Sequence, residues 1–220
     1  TYHSRKEDAD RVVTEIKAVG KKAFSLHVDV ALSSTFDAFI NNLTSVLKAE
    51  FQADKIDALV NNAGVGTHAA FADTTPEQFD NMVNIHLKAP YFLTQKLLPV
   101  LNDGGSIVNI SSGLARFSFP GYSAYGTMKG AVETLTRYQA KELGARKIRV
   151  NVVAPGAIET DFGGGAVRDN KELKATLSSM TALGRVGLPD DIGSVVTFLC
   201  SDDSKWVNAQ RIEVAGGILI

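Results

Sequence analysis

The chain has 220 residues, 45% of them hydrophobic and 21% charged, with a net charge of −1; that balance suits one globular domain over residues 1–220 with a sizeable core. Scattered basic residues leave no footprint for nucleic acid or an anionic membrane. The single cysteine, Cys200, excludes a disulfide framework and a cysteine metal cluster, and no apolar run reaches membrane-spanning length.

Short apolar runs alternate with longer amphipathic ones. A helix is expected over 8–19, a strand over 23–30, a helix over 36–51 with Phe36, Phe39, Ile40, Leu43 and Leu47 inward, and a strand over 56–60. Thr75-Pro76-Glu77 opens the next helix, proline at its first turn, which runs on into 89–101 with a break at Pro90. A strand over 106–110, a long helix over 125–143 and a strand over 148–153 follow. After a mobile stretch come a helix over 189–199 and a last strand over 211–214. This pattern predicts a Rossmann-like, doubly wound parallel sheet covered by helices on both faces. The chain starts at Thr1 and meets a helix at once. The opening strand-helix-strand of such a fold, about 30 residues with a glycine-rich phosphate loop, is therefore expected to lie outside it. Gly163-Gly164-Gly165 follows no strand that suits that loop and reads as a hinge.

In doubly wound sheets ligands sit beyond the carboxyl ends of the strands. Asp29, Asn61, Ser112 and Pro155 each close a predicted strand, so they mark one edge and one site. Tyr125 and Lys129, four apart on a helix, share a face and can meet at one reacting centre. A free tyrosine titrates near ~10; Lys129 is expected to lower Tyr125 by about three units, roughly 4 kcal/mol of preference for the phenolate. Ser112 is the candidate donor to a substrate carbonyl. Ser111 is expected to point away, as neighbours in extended chain do. His86 and His68 are read as packing or hydrogen-bonding residues, and Cys200 as an inert thiol.

Asn61-Asn62-Ala63-Gly64, Asn84, Ser112, Tyr125-Gly126-Thr127-Met128-Lys129 and Pro155-Gly156, in that order and spacing, resemble the short-chain dehydrogenase/reductase family. The likeness spans nearly the whole chain and is nearest to single-domain members such as 3-oxoacyl-carrier-protein reductases. It implies a nicotinamide-dependent oxidoreductase acting on a carbonyl or secondary alcohol. Tyr125 is then the general acid or base, Lys129 also holds the nicotinamide ribose, and Asn84 holds a water that relays protons. The likeness makes Asp29-Val30 the adenine contact, and Asn61, Ala63 and Gly64 a turn the cofactor approaches closely. Pro155, Gly156, Ile158 and Thr160 become the nicotinamide loop, with Ile158 near the carboxamide and Thr160 near the pyrophosphate. Ser4 and Arg5, at the end of the second strand, suit a 2′-phosphate better than a ribose diol, so NADP is expected ahead of NAD. The segment 162–183 would be a substrate lid with Leu173, Leu177, Met180 and Leu183 on its inner side. Phe117, Phe119 and Tyr122 would line a pocket for a medium-sized ketone or 3-oxoacyl thioester. Arg116, Arg137 and Lys141 are the basic candidates for a carrier-protein substrate. The likeness further implies a cytoplasmic homodimer or homotetramer paired through the helices over 89–101 and 125–143. The alternative is a non-catalytic nucleotide sensor or scaffold on the same fold.

Overall fold

The computed structural model describes residues 1–220. Four parallel strands, β1 (Ile56–Asn61), β2 (Leu101–Ile110), β3 (Arg149–Pro155) and β4 (Arg211–Val214), lie side by side in chain order. Every residue of β3 but the last is buried, the mark of a strand covered on both faces. Alternation along β2 assigns the faces: Ile107 packs with Ala140, and its neighbour Val108 packs with Leu199. The first face carries α2 (Phe36–Val46), α4 (Ala89–Leu97) and α5 (Ser123–Leu143). The second carries α8 (Pro189–Cys200). Phe36, wholly buried, with Val28, Phe39, Ala89, Leu93 and Leu97 fills the core under α2 and α4. Each of the valine, leucine and phenylalanine side chains contributes about 1.5–3 kcal/mol on burial.

Several elements differ from the sequence reading. The stretch 23–30 forms no ladder; its one β-bridge is Tyr2–His27, through Tyr2 N–H to Leu26 O at 3.0 Å and Val28 N–H to Tyr2 O at 2.9 Å. A strand needs a neighbour over several residues, and here that neighbour is Tyr2 alone. Pro90 does not break its helix. After α3 (Pro76–Val83) the chain widens into a π-helical turn, Asn84–Lys88, where the Ala89 N–H reaches Asn84 O five residues back. Pro90 then falls in the first turn of α4, where its missing N–H leaves no bond unmade. α4 ends at Leu97, and β2 begins as early as Leu101.

Local chemistry accounts for the other boundaries. Thr75 Oγ1 accepts from the Gln78 N–H at 3.3 Å while Gln78 Oε1 accepts from the Thr75 N–H at 3.0 Å. This capping box is worth about 1 kcal/mol. α1 (Lys6–Ala18) buries no residue fully. The stretch expected to be mobile contains α6 (Ala166–Asp169) and α7 (Lys171–Ser179), the latter capped by Asn170 Oδ1 accepting from the N–H groups of Glu172 and Leu173. No helix is long and apolar enough to cross a membrane.

Candidate active site

Parallel pairing sets the strand ends in line: Asn61 lies opposite Asn109, and Ile110 opposite Val153. Beyond that edge the chain passes through Ser111 and Ser112 into a short 3-10 turn, Gly113–Ala115, and then into α5. α5 buries Tyr125, Met128, Lys129, Val132, Thr136 and Ala140, the three-and-four spacing of one helical stripe. Tyr125 and Lys129 stand at the edge end of it.

The two side chains are 7% and 5% exposed, with Lys129 Nζ 5.4 Å from the Tyr125 ring centroid. Lys129 Nζ donates to the Ile110 carbonyl at 2.7 Å. Burial pushes Tyr125 up to about 12, opposed in part by the Ser112 hydroxyl. Burial also lowers Lys129 to about 8. This reverses the sequence expectation for Tyr125. The lysine spends its ammonium on a main-chain carbonyl, and desolvation of the phenolate outweighs what nearby partners return.

Ser112 faces Tyr125, and its Oγ also accepts from the Leu114 N–H at 3.2 Å. Ser111 points away, as expected. Its Oγ donates to Glu133 Oε1 at 2.7 Å, and Glu133 pairs in turn with Arg211 Nε at 2.7 Å. Asn84 begins the π turn, its carbonyl accepting from Ala89.

Two positions read as cofactor contacts have their side chains committed to the protein. Asn61 Nδ2 donates to Thr94 Oγ1 at 3.0 Å and to Asn109 Oδ1 at 2.8 Å, and Asn109 Nδ2 donates to Thr136 Oγ1 at 2.9 Å and Gln139 Oε1 at 3.0 Å. A buried polar ladder thus ties α4, β1, β2 and α5 together, and Asn61 presents only main chain to the edge. Asp29 Oδ1 closes a turn on the Ala31 N–H at 2.9 Å with Oδ2 3.4 Å from His3 Nε2, and Val30 packs into the α2–α4 core. Ala63 is exposed. A Cβ on Gly64 would lie 2.8 Å from His86 Cε1; the close approach requiring glycine there is to this ring.

Across the edge, Gly156 has its own reason to be glycine, since a Cβ would meet Ala215 Cα at 3.0 Å. Ile158 bridges Gly187, through Gly187 N–H to Ala157 O at 2.8 Å and Glu159 N–H to Gly187 O at 3.0 Å. Both bonds belong to its neighbours, so the Ile158 N–H faces the other way. Thr160 Oγ1 accepts from the Phe162 N–H at 3.2 Å. Ser4 is exposed, and Arg5 reaches over to Asp161 at 2.7 Å. Arg5, the turn Gly64–Gly66 and the segment 160–164 enclose a cleft of about 600 Å³.

Of the four residues expected inside the lid only Leu177 is buried, against Val186 and Ile218 with Phe117 and Phe119 alongside; Leu183 is 72% exposed. Tyr122 meets His68 edge-on. Phe162, which opens the segment expected as the lid, sits 5.7 Å from Tyr125, ring centre to ring centre. The basic candidates do not gather at the cleft. Arg116 bonds to Glu213 and to the Ile218 and Leu219 carbonyls. Arg137 and Lys141 line a separate concavity, with Arg137 about 18 Å along α5 from Tyr125.

The sequence model of a family described as enoyl-(acyl carrier protein) reductase matches residues 1–219. An uncharacterised oxidoreductase of Methylorubrum extorquens is 38% identical over 217 residues, 99% of this chain and 85% of that protein. The chain belongs to the short-chain dehydrogenase/reductase family. A versicolorin reductase of Emericella nidulans is 31% identical over 98% of this chain and 83% of its own length. Among solved structures, the angucycline C-6 ketoreductase LanV with bound NADP superposes with a TM-score of 0.93 at 38% identity, over 99% of this chain and 84% of that one. The reductase LugOII, named for keto-reduction at C1, gives 0.94 at 37% identity over 100% and 86%.

Proposed function

We propose that the protein is an NADPH-dependent ketoreductase in which Tyr125 delivers the proton to the carbonyl oxygen. The observation that carries this is the buried Tyr125 at the carboxyl edge of the sheet, faced by Ser112 and with Lys129 beside its ring. A phenol held near 12 is fully protonated at pH 7, and so meets the substrate as an acid. Ser112 would donate to the same oxygen as charge develops there. Lys129, still largely cationic at pH 7, would stabilise the phenolate left behind, and Asn84 would hold the water that returns a proton.

The cleft fits a phosphorylated dinucleotide. Arg5 is a planar, exposed guanidinium able to exchange Asp161 for the 2′-phosphate, with Ser4 beside it. Gly64 and Thr160 line the cleft, and the main chain of Asn61, Ala63, Pro155, Gly156 and Ile158, next to them in the chain, would offer peptide groups to the rest of the dinucleotide. NADPH, when bound, supplies the hydride. The likeness to LanV, named with bound NADP, supports the choice of cofactor, and the likeness to proteins named as ketoreductases supports the reaction. Phe117, Phe119 and Phe162 suit an apolar, medium-sized ketone. Exposed Tyr91, Phe92 and Tyr138 on α4 and α5 support a homodimer or homotetramer. A panel of ketones assayed with NADPH against NADH tests the reading; no turnover of any ketone would defeat it.

A further inference from the structure

One imidazole in the site has no part in the reaction just described. His86 lies in the π turn two residues after Asn84, is 1% exposed, and meets Tyr125 edge-on, centroids 5.1 Å apart and planes at 88°. Its Nε2 is 2.8 Å from Val65 O and 3.4 Å from Val65 N. One nitrogen cannot serve both. With the proton on Nε2 the ring donates the shorter bond and leaves Nδ1 as a bare acceptor. With the proton on Nδ1 it keeps only the longer contact and buries an N–H, since Nδ1 has no partner. A buried N–H without an acceptor is the worse orphan, so Nε2 carries the proton. Burial and the nearby Lys129 push His86 down to about 4, which keeps the ring neutral. Gly64 closes the arrangement, because only a residue without a Cβ can lie this near the ring.

We propose that His86 is a positioning residue: its Nε2–H···O=C bond to Val65 and its edge contact with Tyr125 fix the spacing between the Gly64–Val65 turn and the tyrosine. The turn lines the cleft assigned to the dinucleotide, so the effect on cofactor binding rests on the proposed function. The tether itself does not. His86 gives up no proton in the reaction.

Two variants separate bond from bulk. His86→Phe keeps a ring against Tyr125 and removes the donor, whereas His86→Gln keeps an N–H near the Nε2 position. The ¹⁵N order parameters of the Gly64, Val65 and Gly66 amides, read without cofactor, should fall from about 0.85 to below about 0.6 in His86→Phe, with β2 and β3 amides unchanged. NADPH should bind about tenfold more weakly to the same variant, and His86→Gln should recover most of both losses. Wild-type order parameters for the turn in His86→Phe, or a glutamine variant no better than phenylalanine, overturn the tether. Should His86→Phe fail to fold, the ¹⁵N spectrum of His86 in the unaltered protein decides. A ring protonated on Nε2 and neutral throughout pH 5–8 supports the assignment; the Nδ1–H tautomer, or titration in that range, overturns it. Order parameters and tautomer need no turnover, so a protein that reduces no ketone can still display the tether.

Discussion

Replacing Lys129 with methionine should make the protein more stable at pH 7 while removing its activity. Burial lowers this ammonium from 10.5 to about 8, and the residue is 5% exposed. Between those values the unfolded chain binds a proton that the folded chain has released, so stability rises with pH across the window. Below pH 8 the folded protein carries the buried charge at a cost of about 3.5 kcal/mol, at roughly 1.4 kcal/mol per pH unit. Methionine keeps the apolar stem and removes that cost. What it loses is the 2.7 Å bond from Nζ to the Ile110 carbonyl, worth about 1.5–3 kcal/mol for a charged donor. The difference favours the variant by about 0.5–2 kcal/mol, a Tm rise of roughly 1–8 °C in a chain of this size. The assay is urea unfolding of both proteins at pH 7, 8, 9 and 10. Tyr125, raised to about 12, contributes the opposite slope above its unfolded value near ~10, which bounds the window. The wild type should gain stability from pH 8 to 10 and Lys129→Met should stay flat. A variant less stable at pH 7, or one with the wild-type slope, would refute the reasoning.

Three other outcomes are expected. His86, lowered to about 4, binds fewer protons folded than unfolded between pH 6.5 and 4, so stability is lost on acidification through that range; His86→Gln should flatten the acid limb of an unfolding series. Asn109→Leu strips partners from Asn61, Thr136 and Gln139 inside the ladder and should cost about 2–4 kcal/mol in chemical denaturation, since several buried polar groups lose partners together. Arg5→Ala should weaken NADPH about 10- to 100-fold and leave NADH within about threefold, as titrations of both will reveal, because only the former has a 2′-phosphate to pair with the guanidinium.

The succession of strands and helices, and the placing of Tyr125, Lys129 and Ser112 at one edge, were legible because they depend on local periodicity. Tyr125 and Lys129 share a face wherever 125–143 is helical, and Ser112 follows from where β2 ends. What depends on through-space neighbours was not. The 23–30 stretch has the right residues for a strand, but a ladder also needs a partner, and Tyr2 alone supplies one. The direction of the Tyr125 shift turns on how deeply α5 is packed, which no spacing encodes. Asn61 looks alike in sequence whether it faces a ligand or Asn109. His86 carries no motif; its place emerges only when the turn after β1 folds down upon it. α7 was readable, for Asn170 followed by Glu172 and Leu173 is a cap signal.

The central claim, that Tyr125 is the proton donor, is tested most directly by Tyr125→Phe, with NADPH binding and ketone turnover measured on one preparation. The hydroxyl is all that changes, so NADPH affinity should stay within about threefold while turnover falls about 100-fold or more. Turnover at the wild-type rate, with binding intact, would contradict the account.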